Sequence, residues 1–158
     1  MAKARDIPGL REASSFREAA ALTVEVRAEE VFEHLPRALD TSDIEGVHDM
    51  RVATRRLRAA MEIFEVCFPH KPHKAVLREV KDLADALGVR RDPDVAIAEL
   101  ERVGAALTAE DRRGIRGLVE ELRAEQESGN TALAEKLAHV EESDLRSRLA
   151  ALVEAARA

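Results

Sequence analysis

The sequence predicts an all-α fold, a helical bundle of about six helices. Alanine, leucine, glutamate and arginine dominate the 158 residues, and all four favour helices. The chain has no Trp or Tyr and only four Phe, which disfavours a β-sandwich or barrel. Apolar residues recur at steps of three and four, as on the buried face of a packed helix. The length fits one domain, which we place at residues 14–158.

The first element is a helix that follows a flexible lead-in at residues 1–13. The lead-in has no periodic pattern, and Pro8 and Gly9 interrupt it. Ser14 or Ser15 can cap the helix, because a serine side chain accepts a hydrogen bond from the first turn. We expect the helix to run to about Leu35, where Pro36 prevents easy continuation.

The second helix begins near residues 44–47 and ends at Phe68-Pro69. Its apolar residues form one stripe at helical spacing, which predicts a face packed into the core. The stripe consists of Val47, Met50, Thr54, Leu57, Met61, Phe64 and Phe68.

The third and fourth helices are separated in this interpretation by a short connection. The third runs from about Pro72 to Leu87, where Gly88 supplies a residue suited to a helix end. The fourth begins with Asp92 as cap and Pro93 in the first helical position, and ends near Gly104. This places Arg90 and Arg91 in the connection.

Two more helices complete the bundle. Thr108 and Asp111 resemble a capping box at the start of the fifth helix. Gly129-Asn130 predicts a kink in this helix or a break. The last helix follows Ser143, and its inward residues are Leu145, Leu149, Leu152 and Val153.

The second helix carries the most informative motif of the chain. At about 100° per residue, His48, Arg51, Arg55 and Arg58 fall within a sector of roughly 80° that lies opposite the apolar stripe. Like charges on successive turns repel one another and do not favour the helix. The motif therefore indicates a binding site for a polyanion.

The charge distribution indicates that this site is local. The formal net charge is −6. Residues 46–91 contain ten Lys or Arg against six Asp or Glu, a balance of +4, so the rest of the chain carries −10. A second basic stripe lies on the third helix, at Lys71, Lys74, Arg78 and Lys81. A basic segment in an acidic protein favours a specific anionic ligand over a general coat of nucleic acid.

The motif at Val47–Arg58, followed about 30 residues later by Leu87–Val95, resembles the CHAD family of α-helical domains. The resemblance covers roughly residues 15–155. It implies a helical bundle that binds inorganic polyphosphate along a basic groove. The implied ligand residues are His48, Arg51, Arg55, Arg56 and Arg58, faced by Lys74, Arg78 and Lys81, with Arg90 and Arg91 in addition. For Arg90 and Arg91, an alternative role is to neutralise the carbonyl end of the third helix.

The chain resembles only one half of a CHAD domain. Family members usually contain two related halves, each with a His-and-Arg helix, and this sequence has one such helix. A homodimer would supply the second basic helix. The family also suggests a phosphate-metabolising enzyme as a partner, because its members are often fused to triphosphate-cleaving domains. Pro93 stands where the family commonly has a larger apolar residue.

Other functions stay open as alternatives to non-catalytic binding. Glu62, Glu65, Asp82 and Asp85 could hold Mg²⁺ for a phosphohydrolase, although no Walker loop or paired-aspartate motif is present. A phosphohistidine carrier at His48 belongs to the same class. Nucleic-acid binding is disfavoured by the acidic remainder of the chain and by the lack of aromatic residues on the basic faces.

We expect no cofactor and no metal site. His70 and His73, on either side of Pro72, are interpreted as a partly solvated turn, and the lone Cys67 as a buried thiol. No apolar run approaches the roughly 20 residues that cross a bilayer, and the N-terminus does not resemble a signal peptide. We therefore expect a cytoplasmic protein with no membrane partner, located at polyphosphate granules if it binds that polymer.

Overall fold

A computed structural model describes residues 3–158, and these residues form five α-helices and no strand. The all-α prediction is confirmed, with five helices in place of about six. Two single turns of 3₁₀ helix lie at Leu35–Arg37 and Glu65–Cys67. The helices are α1 at Phe16–His34, α2 at Ile44–Ile63, α3 at His70–Gly104, α4 at Asp111–Glu142 and α5 at Leu145–Arg157.

Helix α1 begins and ends close to the predicted positions. The Ser15 hydroxyl accepts a hydrogen bond of 3.1 Å from the backbone N–H of Glu18, and the helix ends at His34. Residues 3–13 contain no helix, as expected, and they contact α1. The backbone N–H of Arg5 donates to the buried Glu30 carboxylate at 2.7 Å. Residues 1 and 2 of the predicted lead-in lie outside the described residues.

Helix α2 is capped by Asp43, whose side chain accepts a hydrogen bond from the backbone N–H of Gly46. It ends at Ile63, before the predicted end at Phe68-Pro69, because the chain turns through the 3₁₀ helix at Glu65–Cys67. The predicted stripe is otherwise confirmed: Phe64 is half-buried and the other six residues are buried.

The predicted break between a third and a fourth helix is wrong. Helix α3 continues for 35 residues through Gly88 and Pro93, and Asp92 is not an N-cap. A proline inside a helix costs about 3 kcal/mol, because it removes a hydrogen bond and crowds the preceding turn. Packing against α4 offsets this cost, since Pro93, Asp94 and Ile97 are all buried.

A buried polar network holds α3 together across Pro93. The Arg90 and Asp94 side chains are both 0% exposed, and Arg90 Nη1 donates to Asp94 Oδ1 at 2.7 Å. Arg90 Nε donates to Asn130 Oδ1 at 3.0 Å, and Gln126 Nε2 donates to Asp94 Oδ1 at 2.5 Å. Because Gln126 and Asn130 belong to α4, the network joins the two long helices as well as the two halves of α3.

Gly129 has a packing role in place of the predicted kink or break. Helix α4 continues through Gly129-Asn130, and a Cβ atom at Gly129 would lie 3.2 Å from Arg90 Cα and 3.5 Å from the carbonyl oxygen of Val89. Val89 is the residue whose carbonyl loses its helical partner at Pro93. The glycine therefore allows α4 to approach α3 closely at the proline.

The start of α4 and the whole of α5 agree with the sequence analysis. The Thr108 hydroxyl accepts from the backbone N–H of Asp111 at 3.3 Å and donates to its carboxylate at 2.7 Å. Helix α5 buries the four predicted residues Leu145, Leu149, Leu152 and Val153.

The core lies among α1, α2, α5, the first half of α3 and the second half of α4. Its buried apolar cluster includes α3 as far as Leu87 and α4 from Leu133 onward. The remaining parts of these two helices pack on each other, where Ile97 and Val119 are buried. We call residues 92–104 and 111–128 the α3–α4 extension. Across residues 3–158, every helix is too short or too polar to span a lipid bilayer.

We expect Asp94→Ala to lower the free energy of unfolding by about 3–5 kcal/mol, because it leaves the buried Arg90 guanidinium without its counter-ion. Chemical denaturation measures this change. Glu99→Ala is the matched control, since the Glu99–Arg102 pair on the same helix is exposed to solvent and is expected to change the free energy of unfolding far less. Equal losses in the two variants would contradict the structural role given to Asp94. Arg90→Leu with Asp94→Leu should recover part of the loss.

Candidate anion-binding surface

The basic face of α2 points away from the core because its opposite side is buried. Arg55 is exposed, His48 and Arg51 are half-buried, and the Arg58 side chain is 41% exposed. Met50 and Leu57 on the other side of the helix are at most 1% exposed. The core therefore fixes the rotation of the helix and presents the predicted cationic sector to solvent.

The basic face of α3 lies along its first three turns. Lys74 and Arg78 are exposed, and the Lys81 side chain is 40% exposed. These residues line an open depression of about 590 Å³. His70 and Lys71 line the same depression and were not among the predicted ligands, although Lys71 belongs to the stripe seen in the sequence.

Glu62 joins the two basic faces. Its carboxylate accepts from Arg58 Nε at 3.2 Å within α2, and the same oxygen lies 2.9 Å from Lys81 Nζ of α3. Arg58 and Lys81 thus converge on one oxygen atom. The spacing of Arg58 and Glu62 could have indicated the first contact from sequence, but the second requires the packing of α2 on α3.

His73 fixes α3 against the end of α2, and its interpretation as part of a partly solvated turn is wrong. It is 1% exposed, its Nε2 donates to the carbonyl of Met61 at 2.9 Å, and its ring stacks on Phe68 at a centroid distance of 5.4 Å. Helix α3 already begins at His70, so His73 faces inward from the first turn. This buried hydrogen bond sets the relative position of the two basic helices.

Two of the predicted ligands lie apart from this surface, and a third points in a different direction from Arg55. Arg90 is buried in the network with Asp94 and Asn130, and the Arg91 side chain is 15% exposed with Nη1 3.5 Å from Asp94. Because α3 continues past Arg90 and Arg91, neither residue lies at the carbonyl end of a helix, and the alternative role of neutralising such an end is wrong. Arg56 projects about 100° round α2 from Arg55, on the side of Asp49.

The first turns of α2 contain the one arrangement among residues 3–158 that could hold a divalent cation. Glu45, His48 and Asp49 each offer a ligand atom, and these atoms lie within 4.8 Å of one another. Carboxylate and imidazole groups are suitable ligands for such ions. The expectation of no metal site stays a prediction.

The carboxylates considered for a phosphohydrolase have different surroundings. Glu62 is an ion-pair partner of Arg58 and Lys81. The hydrogen bond from Lys81, aided by the hydrogen bond and charge of Arg58, outweighs the opposing effect of burial and keeps the pKa of Glu62 below its ordinary value of 4.5. Glu65, Asp82 and Asp85 are exposed. Glu62 therefore carries its negative charge within the basic surface under neutral conditions.

Comparisons with known proteins place this geometry in a family context. The family model described as CHAD domain matches residues 23–158. Two Mycobacterium tuberculosis proteins from different strains, each described as uncharacterized, are 37% and 36% identical over 78 residues. Each match covers 49% of this chain and 15% of the relative, so the chain spans only a small part of the relatives' length. No solved structure matches at a significant level.

We expect Lys81→Gln to raise the pKa of Glu62 toward its ordinary value of 4.5, because the largest contribution to the lowered pKa is removed. A depressed carboxyl pKa stabilises the folded state above the unfolded-state pKa, and this contribution is lost as the pH falls through the folded-state pKa. A carbon NMR titration of the Glu62 carboxyl group measures the change. Arg78→Gln is the control on the same face, and equal titration of Glu62 in parent and Lys81→Gln would refute the contact.

Proposed function

The chain belongs to the CHAD domain family, and from this premise we propose that it binds inorganic polyphosphate, without catalysis, through the basic faces of α2 and α3. The observation that carries the proposal is the convergence of Arg58 and Lys81 on one Glu62 oxygen. Cations from two helices that already share a carboxylate oxygen can share a phosphate oxygen at the same place.

The chemistry of the surface suits a flexible polymer of phosphates. Arginine donates paired hydrogen bonds to phosphate oxygens from a planar guanidinium group, whereas lysine supplies a mobile point charge. The step from His48 to Arg58 along α2 is about 15 Å at the rise of an α-helix, long enough for several phosphate groups. Such a ligand needs cations on a rigid scaffold and little recognition of shape.

The ligand set that we propose differs slightly from the sequence-based set. His48, Arg51, Arg55 and Arg58 of α2 contact the polymer with Lys74, Arg78 and Lys81 of α3, and Lys71 extends the same depression. Arg90 does not contact the polymer, because its side chain has no exposed surface. It holds α3 to α4 instead. A cytoplasmic location at polyphosphate granules, and association with a phosphate-metabolising enzyme, belong to the same proposal.

We expect Arg51→Ala with Arg55→Ala to weaken binding of long-chain polyphosphate at least tenfold, because two exposed or half-exposed cations of the central turns are lost. Isothermal titration at two salt concentrations measures this. Binding of the parent should fall steeply with salt, since the polymer releases counter-ions, and the double variant should show a smaller slope.

The matched control is Arg102→Ala with Arg116→Ala, which removes the same charge from exposed positions of the α3–α4 extension. This control should bind nearly as the parent does. Absence of binding by the folded parent, or equal loss in the two double variants, would count against the proposed surface.

We expect Glu62→Gln to tighten binding of polyphosphate several-fold, because the carboxylate no longer competes for Arg58 and Lys81. Glu65→Gln is the control, since it removes the same charge at an exposed position just beyond α2. Both variants are measured by the same titration. If the two gave equal increases, the effect would be one of net charge and the shared contact would have no special role.

A further inference from the structure

The outer face of α4 in the α3–α4 extension is unusual for a helix exposed to solvent. On the inner side, Val119 is buried, and Ile115 packs over Gly104 of α3, where an added Cβ would lie 3.5 Å from the Ile115 side chain. Gly117 lies about 200° round the helix from Val119, so it faces away from α3. We call Arg113, Gly114, Gly117, Leu118 and Glu121 the outer face, and all five are exposed.

The fold of one chain does not account for the small and apolar residues of this face. A Cβ atom added at Gly114 or Gly117 would meet no atom within 4 Å, although glycine is a poor residue for a helix interior. Leu118 is 50% exposed beside them. Large apolar side chains are also exposed elsewhere on the two long helices, at Val89, Val95 and Val103.

The charges on the outer face of one copy are complementary to those on the same face of a second copy. Arg113 and Glu121 lie four residues before and after Gly117, about 6 Å from it along the axis in opposite directions. Neither forms a salt bridge with another residue of the described chain. A two-fold axis at Gly117 would place Arg113 of each copy opposite Glu121 of the other, because the two helices then run antiparallel.

We infer that a second copy of this chain docks on the outer face of α4, with Gly117 at the two-fold axis. The glycine lets the two helix backbones approach closely, and Leu118 covers the contact on both sides. Two symmetry-related pairs of Arg113 and Glu121 fix the antiparallel register. The inference does not depend on the ligand of α2 and α3. The contact lies in the α3–α4 extension, near Gly104 of α3, so the homodimer it describes differs from one in which two basic helices meet.

The first test is the mass of the full chain by light scattering and sedimentation over a range of concentrations. The parent should form a dimer. Gly117→Arg should be monomeric and still folded, because it adds bulk and like charges at the axis while improving helix propensity. Ala138→Arg is the control, at an exposed position nearer the other end of the same helix. A monomeric parent, or a dimer that Gly117→Arg leaves intact, would overturn the inference.

The second test is a charge exchange that distinguishes this register from any other contact. Arg113→Glu and Glu121→Arg should each weaken the dimer by about tenfold or more, because both symmetry-related pairs become repulsive. Combining the two substitutions restores opposite charges across the axis, so the double variant should return to within a few-fold of the parent. A double variant no stronger than the single ones would refute the pairing.

Discussion

The buried pair of Arg90 and Asp94 is the contact on which the architecture of the long helices depends. It lies on either side of Pro93, where α3 has lost a backbone hydrogen bond, and both side chains are completely buried. Gln126 and Asn130 extend the network into α4, and Asn130 Nδ2 lies 3.5 Å from the carbonyl of Leu39 before α2. One polar cluster thereby connects α3, α4 and the segment that precedes the basic helix. Hydrogen bonds to Asn130 and Gln126 offset only part of the desolvation cost, because Arg90 Nη2 and Asp94 Oδ2 are buried without a hydrogen-bond partner.

The basic surface depends in turn on how α2 and α3 are held together. The apolar stripe of α2 fixes its rotation, and the hydrogen bond of His73 to the carbonyl of Met61 fixes the start of α3 beside it. Neither contact involves a ligand. The exposed cations repel one another, and the packing of the helices behind them offsets this cost. Glu62 reduces the repulsion through its ion pairs with Arg58 and Lys81. A rigid scaffold of this kind is what a flexible anionic polymer needs.

Sequence reasoning succeeded where the signal is local. The capping serine of α1, the stripe of α2 and the inward residues of α5 follow from side-chain spacing and hydrogen bonding within a few residues. It failed at Gly88 and Pro93, where local propensity favoured a break and burial against α4 maintained one helix. The position of Arg90 was mispredicted for the same reason, because a residue assigned to a connection was expected at the surface. The bridge through Glu62 and the burial of His73 depend on contacts between helices, which no spacing in the sequence specifies.

The two proposals concern different surfaces, and a polymeric ligand links them. One copy offers a basic face of limited length on α2 and α3, whereas polyphosphate is long enough to reach a second face. Once one copy has bound, the second face of a dimer meets the same polymer at a high effective concentration. A dimer should therefore favour long chains over short ones without any new contact at either face. Chain-length selectivity would then arise from Gly117 and its neighbours, although none of these residues touches a phosphate.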